Sequence, residues 1–485
     1  MGRIVQVSNR VADLSRAAQA GGVVIAIADM LRERNGLWFG WSGKIGEKSE
    51  EARTTPDIVE SDGATVATLP LSSREYKDYY LGYANAVLWP VFHSRLDLAQ
   101  FEAGYFQRYV DVNKRFACAL QPLLKPDDTI WIHDYHFIPM ALELRRLGVT
   151  NPIGFFLHIP VPPAQTFLAI PEHRDLARAL AAYDLVGVQT RIDVRNMVDY
   201  LRDGIYGRML QDGRIRVFDR EISIRSFPVG IDVDSFLESR PKRPRDHIPT
   251  ATPLTGAARL HYTKCLPHKS GAFAPSLDNY PAHRPHLVLS PTAPPPLPPP
   301  APSARHHPPH EALSGAINGR YGELDWMPIH YIHRSTPRRM LVDVYRHSRI
   351  GFVTPLRDGM NLVAKEYVAA QDPEDPGVLI LSRFAGAAEQ MRQALIVNPY
   401  DVEEMADIIK VALEMGLQER KDRYQALLSG IRTHNTFAWG RSFLHALETS
   451  QHRDLGPFGL PVGPVRKPLS EMGLAPTEPP RARSD

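Results

Sequence analysis

Short apolar runs and amphipathic stretches alternate along the first half of the chain. Ile4–Ser8 is a short apolar run, which predicts a buried strand, and the longer stretch Val23–Arg34 predicts a helix. Strands that alternate with helices are typical of a parallel, doubly wound sheet. The further strands predicted are Thr129–His133, Ile153–His158 and Leu185–Gln189, with helices at Pro139–Leu147 and Arg174–Ala182.

The second half repeats this alternation after a break near residues 227–232. We therefore predict an α/β fold of two Rossmann-like, doubly wound domains, residues 1–228 and 229–450, that face one another. Ligands of such folds bind in the cleft outside the carboxyl ends of the strands. The predicted elements are strands Ile350–Thr354, Gly377–Ser382 and Leu395–Asn398, and helices Asn361–Gln371, Ala385–Ala394 and Val402–Met415, the last capped by Asp401.

Composition places the chain among soluble globular proteins. Its 485 residues are 43% hydrophobic and 23% charged, and the length suggests two domains plus a tail. Residues 451–485, rich in Pro, Gly, Arg and Ser, are predicted to be a disordered tail. A net charge of +3 without a basic aromatic motif gives no sign of nucleic-acid binding. No apolar run is long enough for a membrane span, and no signal peptide precedes the first strand.

Cysteine usage bears on the compartment. Two cysteines, Cys118 and Cys265, rule out a disulfide framework and predict a reducing, cytoplasmic setting. The sequence does not determine the oligomeric state, and a homo-oligomer is one of the possibilities.

The most informative stretch is residues 354–367, which follows the apolar run 350–353. A carboxylate (Asp358), a glycine (Gly359) and an asparagine (Asn361) lie in its strand-to-helix turn, with Lys365 and Glu366 one turn into the helix. A helix N-terminus offers N–H groups to an anion, and glycine lets a ligand approach the backbone. The run predicts a sugar and phosphate site. A solvated turn with a salt-bridged helix would explain any two of these residues, but not the whole run.

Six other stretches of the chain match one known family together with this run, and all seven occur in the same order as in that family. Together, from about residue 3 to about 447, they resemble trehalose-6-phosphate synthases, a family of retaining glycosyltransferases of the GT-B class. The resemblance implies transfer of glucose from UDP-glucose to glucose 6-phosphate by front-side displacement, with no metal and no cofactor. The base of the donor (UDP, GDP or ADP) is left open. The stretches are VSNR (7–10), AGG (20–22), LWFGWSG (37–43), NAVLWP (85–90), WIHDYH (131–136) and GFFLHIP (154–160).

The resemblance also implies roles for individual residues. Arg259 and Lys264 would grip the diphosphate of the donor, and His158 and Asp358 would complete the catalytic set. From spacing alone, the two cations would be taken as surface residues, Trp89 as core and a lone His158 as structural. His158 and Asp134, however, end two parallel strands at the same cleft. The remaining donor-site residues are Gly21, Gly22, Leu362, Val363, Ala364, Lys365 and Glu366, and the acceptor-site residues are Arg10, Tyr80, Trp89 and Asp134.

The pattern is damaged between about residues 240 and 310. Residues 281–310 contain twelve prolines, and no Asp or Glu occurs from 279 to 310. Against the family pattern, His261 stands in place of Asp, Cys265 in place of Gly, and Leu297 in place of an arginine that holds the acceptor phosphate. A compensated frameshift in a GC-rich gene explains this with unchanged length, and divergence into a Pro-rich loop is the alternative. Proline excludes a central helix or strand, so we predict irregular structure here.

Two rival functions follow from this damage. One is a related transferase with another phosphorylated acceptor, such as a glycerol phosphate. The other is a catalytically impaired regulatory subunit that still binds a sugar nucleotide.

Overall fold

The computed structural model describes residues 2–11, 22–47, 53–61, 63–239, 252–257, 266–292, 310–331 and 338–450. In these ranges the chain forms two β-sheets, one of ten strands and one of five, covered by helices. The strands are β1 (Ile4–Arg10), β2 (Leu37–Gly46), β3 (Asp57–Ser61), β4 (Ala64–Ser72), β5 (Thr129–His133), β6 (Ile153–Phe156), β7 (Leu185–Val188), β8 (Arg208–Met209), β9 (Ile215–Val217), β10 (Arg220–Ser226), β11 (Thr252–Ala257), β12 (Leu287–Thr292), β13 (Ile350–Val353), β14 (Val378–Ser382) and β15 (Leu395–Val397).

The helices include two stretches of π-helix, Tyr76–Leu88 and Tyr200–Gly204, besides the α-helices. Short 3₁₀-helical segments occupy Leu96–Leu98, Gln121–Leu123, Tyr135–Phe137, Pro281–His286 and Gly386–Glu389. The α-helices are α1 (Gly22–Glu33), α2 (Ser73–Glu75), α3 (Trp89–Phe92), α4 (Tyr105–Leu120), α5 (Met140–Arg146), α6 (Ala164–Phe167), α7 (His173–Leu180), α8 (Arg191–Asp199), α9 (Val233–Glu238), α10 (Leu266–Asn279), α11 (His310–Tyr321), α12 (Arg338–Arg346), α13 (Leu362–Ala370), α14 (Val402–Glu414), α15 (Leu417–Thr433) and α16 (Thr436–Thr449).

The first sheet has the strand order β3-β4-β2-β1-β5-β6-β7-β10-β9-β8. The strands from β4 to β10 in this order pair in parallel, and the antiparallel pairs lie at the two ends. Every residue of β5, β6 and β7 is buried, as expected of parallel strands covered by helices on both faces. The second sheet, β12-β11-β13-β14-β15, is parallel throughout.

The α/β fold of two facing parallel sheets is as predicted, and most predicted elements agree with the structure to within two residues at their ends. The predicted helix 385–394 is wrong, because only the 3₁₀ turn Gly386–Glu389 forms there. The start of this segment also bonds to a neighbouring loop: Gly386 N–H donates to the carbonyl of Asp358 (3.1 Å), and Ala387 N–H donates to that of Met360 (2.7 Å).

The prediction of irregular structure from 240 to 310 is wrong for the residues described there. β11, α10 and β12 all form, and Ala272, Phe273 and Leu277 on α10 are fully buried against the second sheet. Pro291 lies in β12, the edge strand, where a missing N–H costs least. Edge position does not account for Pro253 in β11, which is paired on both sides, or for Pro275 inside α10. Residues 240–251, 258–265 and 293–309 lie outside the described ranges.

The last helix packs against the first sheet, not the second. The Phe443 ring stacks on Trp131 of β5, with ring centroids 4.6 Å apart. Gly154 and Gly187 leave room for it, since a Cβ on either would lie within 2.8 Å of the ring of Phe443. The domain boundary at 228/229 stays a prediction. Helix α16, although it follows the second sheet in the chain, packs on strands of the first sheet. None of the helices in the described ranges has the length and apolar character needed to cross a membrane.

We expect Phe443→Ala to lower the free energy of unfolding by about 3–5 kcal/mol, the usual cost of emptying a fully buried aromatic site. Chemical denaturation measures this. Leu417→Ala, on the adjoining helix α15 and 45% exposed, is the matched control and should change stability by less than about 0.5 kcal/mol. Equal effects of the two substitutions would show that α16 does not hold the fold together as described.

Candidate active site

The carboxyl ends of β5 and β6 bring two of the predicted residues together. Asp134 follows β5, and its backbone N–H donates to the carbonyl of Phe156 at the end of β6 (2.8 Å). The Asp134 carboxylate in turn accepts a hydrogen bond from the backbone N–H of His158 (3.2 Å). Asp134 and His158 thus lie side by side at the carboxyl ends of neighbouring strands, and their roles in binding stay a prediction.

Asp134 is held in an unusual environment. Its backbone has φ +71° and ψ 165°, a combination that non-glycine residues seldom adopt and that tends to occur at functional sites. Burial raises the pKa of Asp134 to about 7, while hydrogen bonds from the backbone N–H groups of Tyr135, His158 and Ile159 act in the opposite direction. The group can thus exist as acid or carboxylate near neutral pH, and both forms can hydrogen-bond a sugar hydroxyl.

Aromatic side chains surround the predicted acceptor position. Tyr80 projects from the π-helix and stacks on His136, with ring centroids 5.7 Å apart and planes 15° apart. Trp89 begins α3 and meets the edge of Tyr135, the neighbour of Asp134, at 5.7 Å. The sequence pattern did not reveal the π-helix, a feature that often accompanies functional sites. Tyr80, Trp89 and Asp134 are thus brought into one region by contacts through Tyr135 and His136.

Arg10 lies at the end of β1, and its guanidinium crosses Gly43. A Cβ on residue 43 would lie 2.9 Å from Arg10 Nε, and Gly43 also has φ +79°. Any other residue there would combine backbone strain with displacement of Arg10. Gly43 is therefore a supporting residue that the sequence showed only as part of the LWFGWSG stretch.

The loop between β13 and α13 forms the other wall of the cleft. Asn361, with φ +79°, caps α13 by accepting a hydrogen bond from Ala364 N–H (3.1 Å), and its amide donates to the carboxylate of Asp358 (2.9 Å). Asp358 is thus oriented by the residue that starts the helix. Because Ala364 N–H is used in the cap, this predicted contact to the donor is not supported. The N–H groups of Leu362 and Val363 belong to the same first turn.

Lys365 was predicted to bind the donor, and the structure corrects this. Its ammonium donates to the backbone carbonyl of Val229 (2.7 Å) and to the side-chain oxygen of Gln390 (2.8 Å), and the residue is 1% exposed. Burial lowers the pKa of Lys365 to about 7. Lys365 ties the connection between the two sheets to α13 and does not reach into the cleft. Glu366 is half-buried in the first turns of the same helix, and its role stays a prediction.

The two walls touch at Gly359. A Cβ on this residue would lie 2.1 Å from the carbonyl oxygen of His158, so only glycine permits the observed approach. A cavity of about 130 Å³ is lined by residues from both halves of the chain, among them Arg95, Arg357 and Tyr400. Gly22 is the first residue of α1, while Gly21, Arg259, Lys264, His261, Cys265 and Leu297 lie outside the described residues.

Two parallel sheets whose carboxyl ends meet across a cleft, with a capped helix on one side and an aromatic pocket on the other, are the architecture of a GT-B glycosyltransferase. The chain belongs to glycosyltransferase family 20, whose model matches residues 4–449. It is 41% identical over 456 residues to the trehalose-6-phosphate synthase of Sodalis glossinidius, covering 92% of this chain and 96% of that protein.

Solved structures are also similar. One is an α,α-trehalose-phosphate synthase (UDP-forming) from Burkholderia xenovorans in complex with glucose 6-phosphate, with TM-score 0.85, 41% identity and coverage of 92% of this chain and 100% of that chain. Another, from E. coli, is bound with UDP-2-fluoro glucose, with TM-score 0.85, 38% identity and coverage of 93% and 99%.

The pKa of Asp134 has a consequence for stability. Because its folded value, about 7, exceeds its ordinary value of 3.8, the neutral acid favours folding, and this contribution is lost as the pH rises from about 4 through 7. We expect Asp134→Asn to be more stable than the parent chain by about 2–4 kcal/mol at pH 8.5, with roughly two fifths of that gain at pH 5.

Urea unfolding at the two pH values measures the effect. Asp97→Asn, which removes a 58% exposed carboxylate, is the control and should change stability by less than about 1 kcal/mol at either pH. A gain from Asp134→Asn that does not depend on pH would contradict the assignment of a raised pKa.

Proposed function

We propose that the chain transfers glucose from UDP-glucose to glucose 6-phosphate with retention, giving α,α-trehalose 6-phosphate and UDP. The observation that carries the proposal is the contact of Gly359 with the His158 carbonyl. It brings the Asp358 loop, suited to a nucleotide sugar, against the strand ends that carry the acceptor residues. The complexes of the relatives with glucose 6-phosphate and with UDP-2-fluoro glucose support both substrates.

The proposed donor site uses the second sheet. Asp358, fixed by the Asn361 amide, accepts hydrogen bonds from hydroxyls of the glucose. The first turn of α13 directs N–H groups and the positive end of its dipole toward the diphosphate. Arg259 and Lys264 are assigned to the diphosphate by family resemblance, because cations next to a leaving phosphate stabilise its growing charge. Glu366 is assigned to the ribose on the same ground.

The proposed acceptor site uses the first sheet. Tyr80 and Trp89 offer aromatic faces to a hexose, Asp134 binds hydroxyls, and Arg10 binds the phosphate. The bond from the anomeric carbon to the UDP oxygen breaks as the anomeric hydroxyl of glucose 6-phosphate attacks from the same face. The proton of that hydroxyl passes to the departing phosphate oxygen. His158 contacts the donor glucose beside the reacting carbon.

The proposal also covers the cellular compartment, the partners and the oligomeric state. With two cysteines in its sequence, the enzyme is assigned to the cytoplasm. Its partners are the two small substrates, and assembly into a homo-oligomer is an open possibility that light scattering would decide.

We expect UDP release only when UDP-glucose and glucose 6-phosphate are both present, measured by a coupled assay. Asp358→Asn should lower kcat/KM at least about a hundredfold, since a group that stabilises the transition state is lost. Asp203→Asn, an exposed carboxylate paired with Arg202, is the matched control and should retain activity. Release with a glycerol phosphate but not with glucose 6-phosphate would favour the related transferase. UDP-glucose binding without any release would favour the regulatory subunit.

Leu297 leads to a separate prediction. A phosphate carries roughly −1.5 to −2 charge, and losing one charged hydrogen bond to it costs about 1.5–3 kcal/mol, or ten- to a hundredfold in affinity. We expect a raised KM for glucose 6-phosphate with a nearly normal KM for UDP-glucose. The preference for glucose 6-phosphate over unphosphorylated glucose, measured as a ratio of kcat/KM values, should be correspondingly small.

Leu297→Arg is expected to restore this preference only in part, because the prolines on both sides of residue 297 in the sequence disfavour a helix or strand that would orient the new side chain. Strong discrimination against glucose by the parent chain would overturn the prediction and show that another cation holds the phosphate.

A further inference from the structure

A row of three side chains runs behind the cleft and ends at His158. The side-chain nitrogen of Gln6, on β1, lies 2.5 Å from Nε2 of His133, the last residue of β5. Nδ1 of His133 lies 3.0 Å from Nε2 of His158, beyond the end of β6. Gln6 and His133 are 1% and 3% exposed. The row thus connects the interior of the sheet to a residue of the cleft.

The surroundings of this row are apolar and aromatic. Trp131 and Trp439 lie 4.6 and 6.2 Å from the His133 ring, and Phe156 lies 4.8 Å from the His158 ring, measured between centroids. The carboxylate next to the row, Asp134, bonds the backbone of His158. Burial lowers the pKa of His158 to about 4 and that of His133 well below its ordinary value. Both rings are therefore neutral at physiological pH.

The direction of the hydrogen bonds in the row follows from the chemistry of its members. A neutral imidazole has one N–H donor and one acceptor nitrogen, whereas an amide nitrogen can only donate. Donation from Gln6 makes Nε2 of His133 an acceptor, which places the proton of that ring on Nδ1. His133 then donates to Nε2 of His158, and this leaves the proton of His158 on Nδ1.

Gln6 itself needs an explanation that packing does not provide. It is a polar residue in the buried first part of the strand Ile4–Arg10, between the fully buried Val5 and Val7. Burying an amide is unfavourable unless it is hydrogen-bonded, and a hydrophobic residue would satisfy a central strand better. The hydrogen bond to His133 satisfies the buried amide of Gln6.

We propose that Gln6 and His133 are positioning residues that fix the tautomer of His158, so that His158 presents an N–H donor to the donor sugar. This inference rests on the proposed function, in which His158 contacts the donor glucose. A neutral donor can hold a sugar hydroxyl without adding positive charge beside an anomeric carbon that becomes positive in the transition state. Fixing the ring through a hydrogen bond to its other nitrogen is how proteins commonly set a histidine tautomer.

The test uses two substitutions at residue 6. Gln6→Leu removes the hydrogen-bond donor while keeping the side-chain volume, so nothing then fixes which ring nitrogen of His133 carries the proton. Gln6→Glu replaces a donor with an acceptor, so that His133 donates from Nε2 and His158 donates from Nε2 to His133. Gln371→Leu is the matched control, because Gln371 is also a buried glutamine, 3% exposed, but bonds only to groups around the second sheet.

The first measurement is ¹⁵N NMR of the ligand-free protein labelled on histidine, which distinguishes protonated from unprotonated ring nitrogens. Signals are assigned with His133→Asn and His158→Asn. We expect His158 to carry its proton on Nδ1 in the parent chain and on Nε2 in Gln6→Glu. A proton on Nε2 in the parent chain, or no change in Gln6→Glu, overturns the proposal. This measurement needs no substrate, so its outcome stands even if the proposed function fails.

The second measurement is kinetic. Loss of one hydrogen bond in the row should lower kcat of Gln6→Leu roughly five- to tenfold, with KM for UDP-glucose changed less than about twofold. Gln371→Leu should show the parent kcat, even if its melting temperature falls. A kcat of Gln6→Leu equal to that of the control overturns the positioning role. If the parent chain releases no UDP at all, it is the proposed function that fails.

Discussion

The approach of two backbones at Gly359 and His158 is the constraint on which the rest of the site depends. A side chain at residue 359 would place its Cβ 2.1 Å from the His158 carbonyl oxygen and force the walls of the cleft apart. At this separation the loop that carries Asp358 lies against the strand ends of the first sheet. Other contacts support it: Arg357 donates to the Val161 carbonyl (2.9 Å), and Arg191 pairs with Glu389. Helix α16 follows the second sheet in the chain and packs on the first sheet, so it adds a further contact between the two halves of the chain.

Several polar groups in the walls of the cleft and behind them are buried at a cost to stability. Asp134, His133 and Lys365 all have pKa values displaced toward the neutral form by burial. A fold selected for stability alone would place apolar residues at such positions. The burial instead orients hydrogen-bonding groups before any ligand arrives, which is how enzymes stabilise a transition state without reorganisation. Lys365 shows that not every such group faces the ligand, since its ammonium joins α13 to the connection at Val229.

Much of the fold could be read from the sequence because parallel strands buried on both faces are continuous apolar runs. β5, β6 and β13 were found in this way, and the cap at Asp401 was found from the preference of Asp for the position before a helix. The pairing of β2 with β4, the π-helix and the return of α16 to the first sheet depend on contacts between distant residues, which local patterns do not contain. The strand β12 was missed because proline content was weighed without knowing that the strand lies at an edge.

The site could be predicted where its residues lie at strand ends. It was harder to predict where a side chain has several possible hydrogen-bond partners. Asp134 and His158 were expected to meet, and they do. Lys365 and Ala364 were assigned to the ligand because of their place in the helix, but protein groups take up their hydrogen-bonding capacity. Gly43 and Gln6 carried no separate signal, because the reason for each is a neighbour far away in sequence.

In the proposed mechanism one cleft holds a nucleotide sugar against one wall and a sugar phosphate against the other, with His158 and Gly359 between them. A crystal structure of the chain with UDP and glucose 6-phosphate bound together tests it most directly. We predict the diphosphate at the first turn of α13 near Asp358, and the hexose ring between Tyr80, Trp89 and Asp134. Both ligands on the same wall, or either one bound away from the contact of His158 with Gly359, would contradict the account.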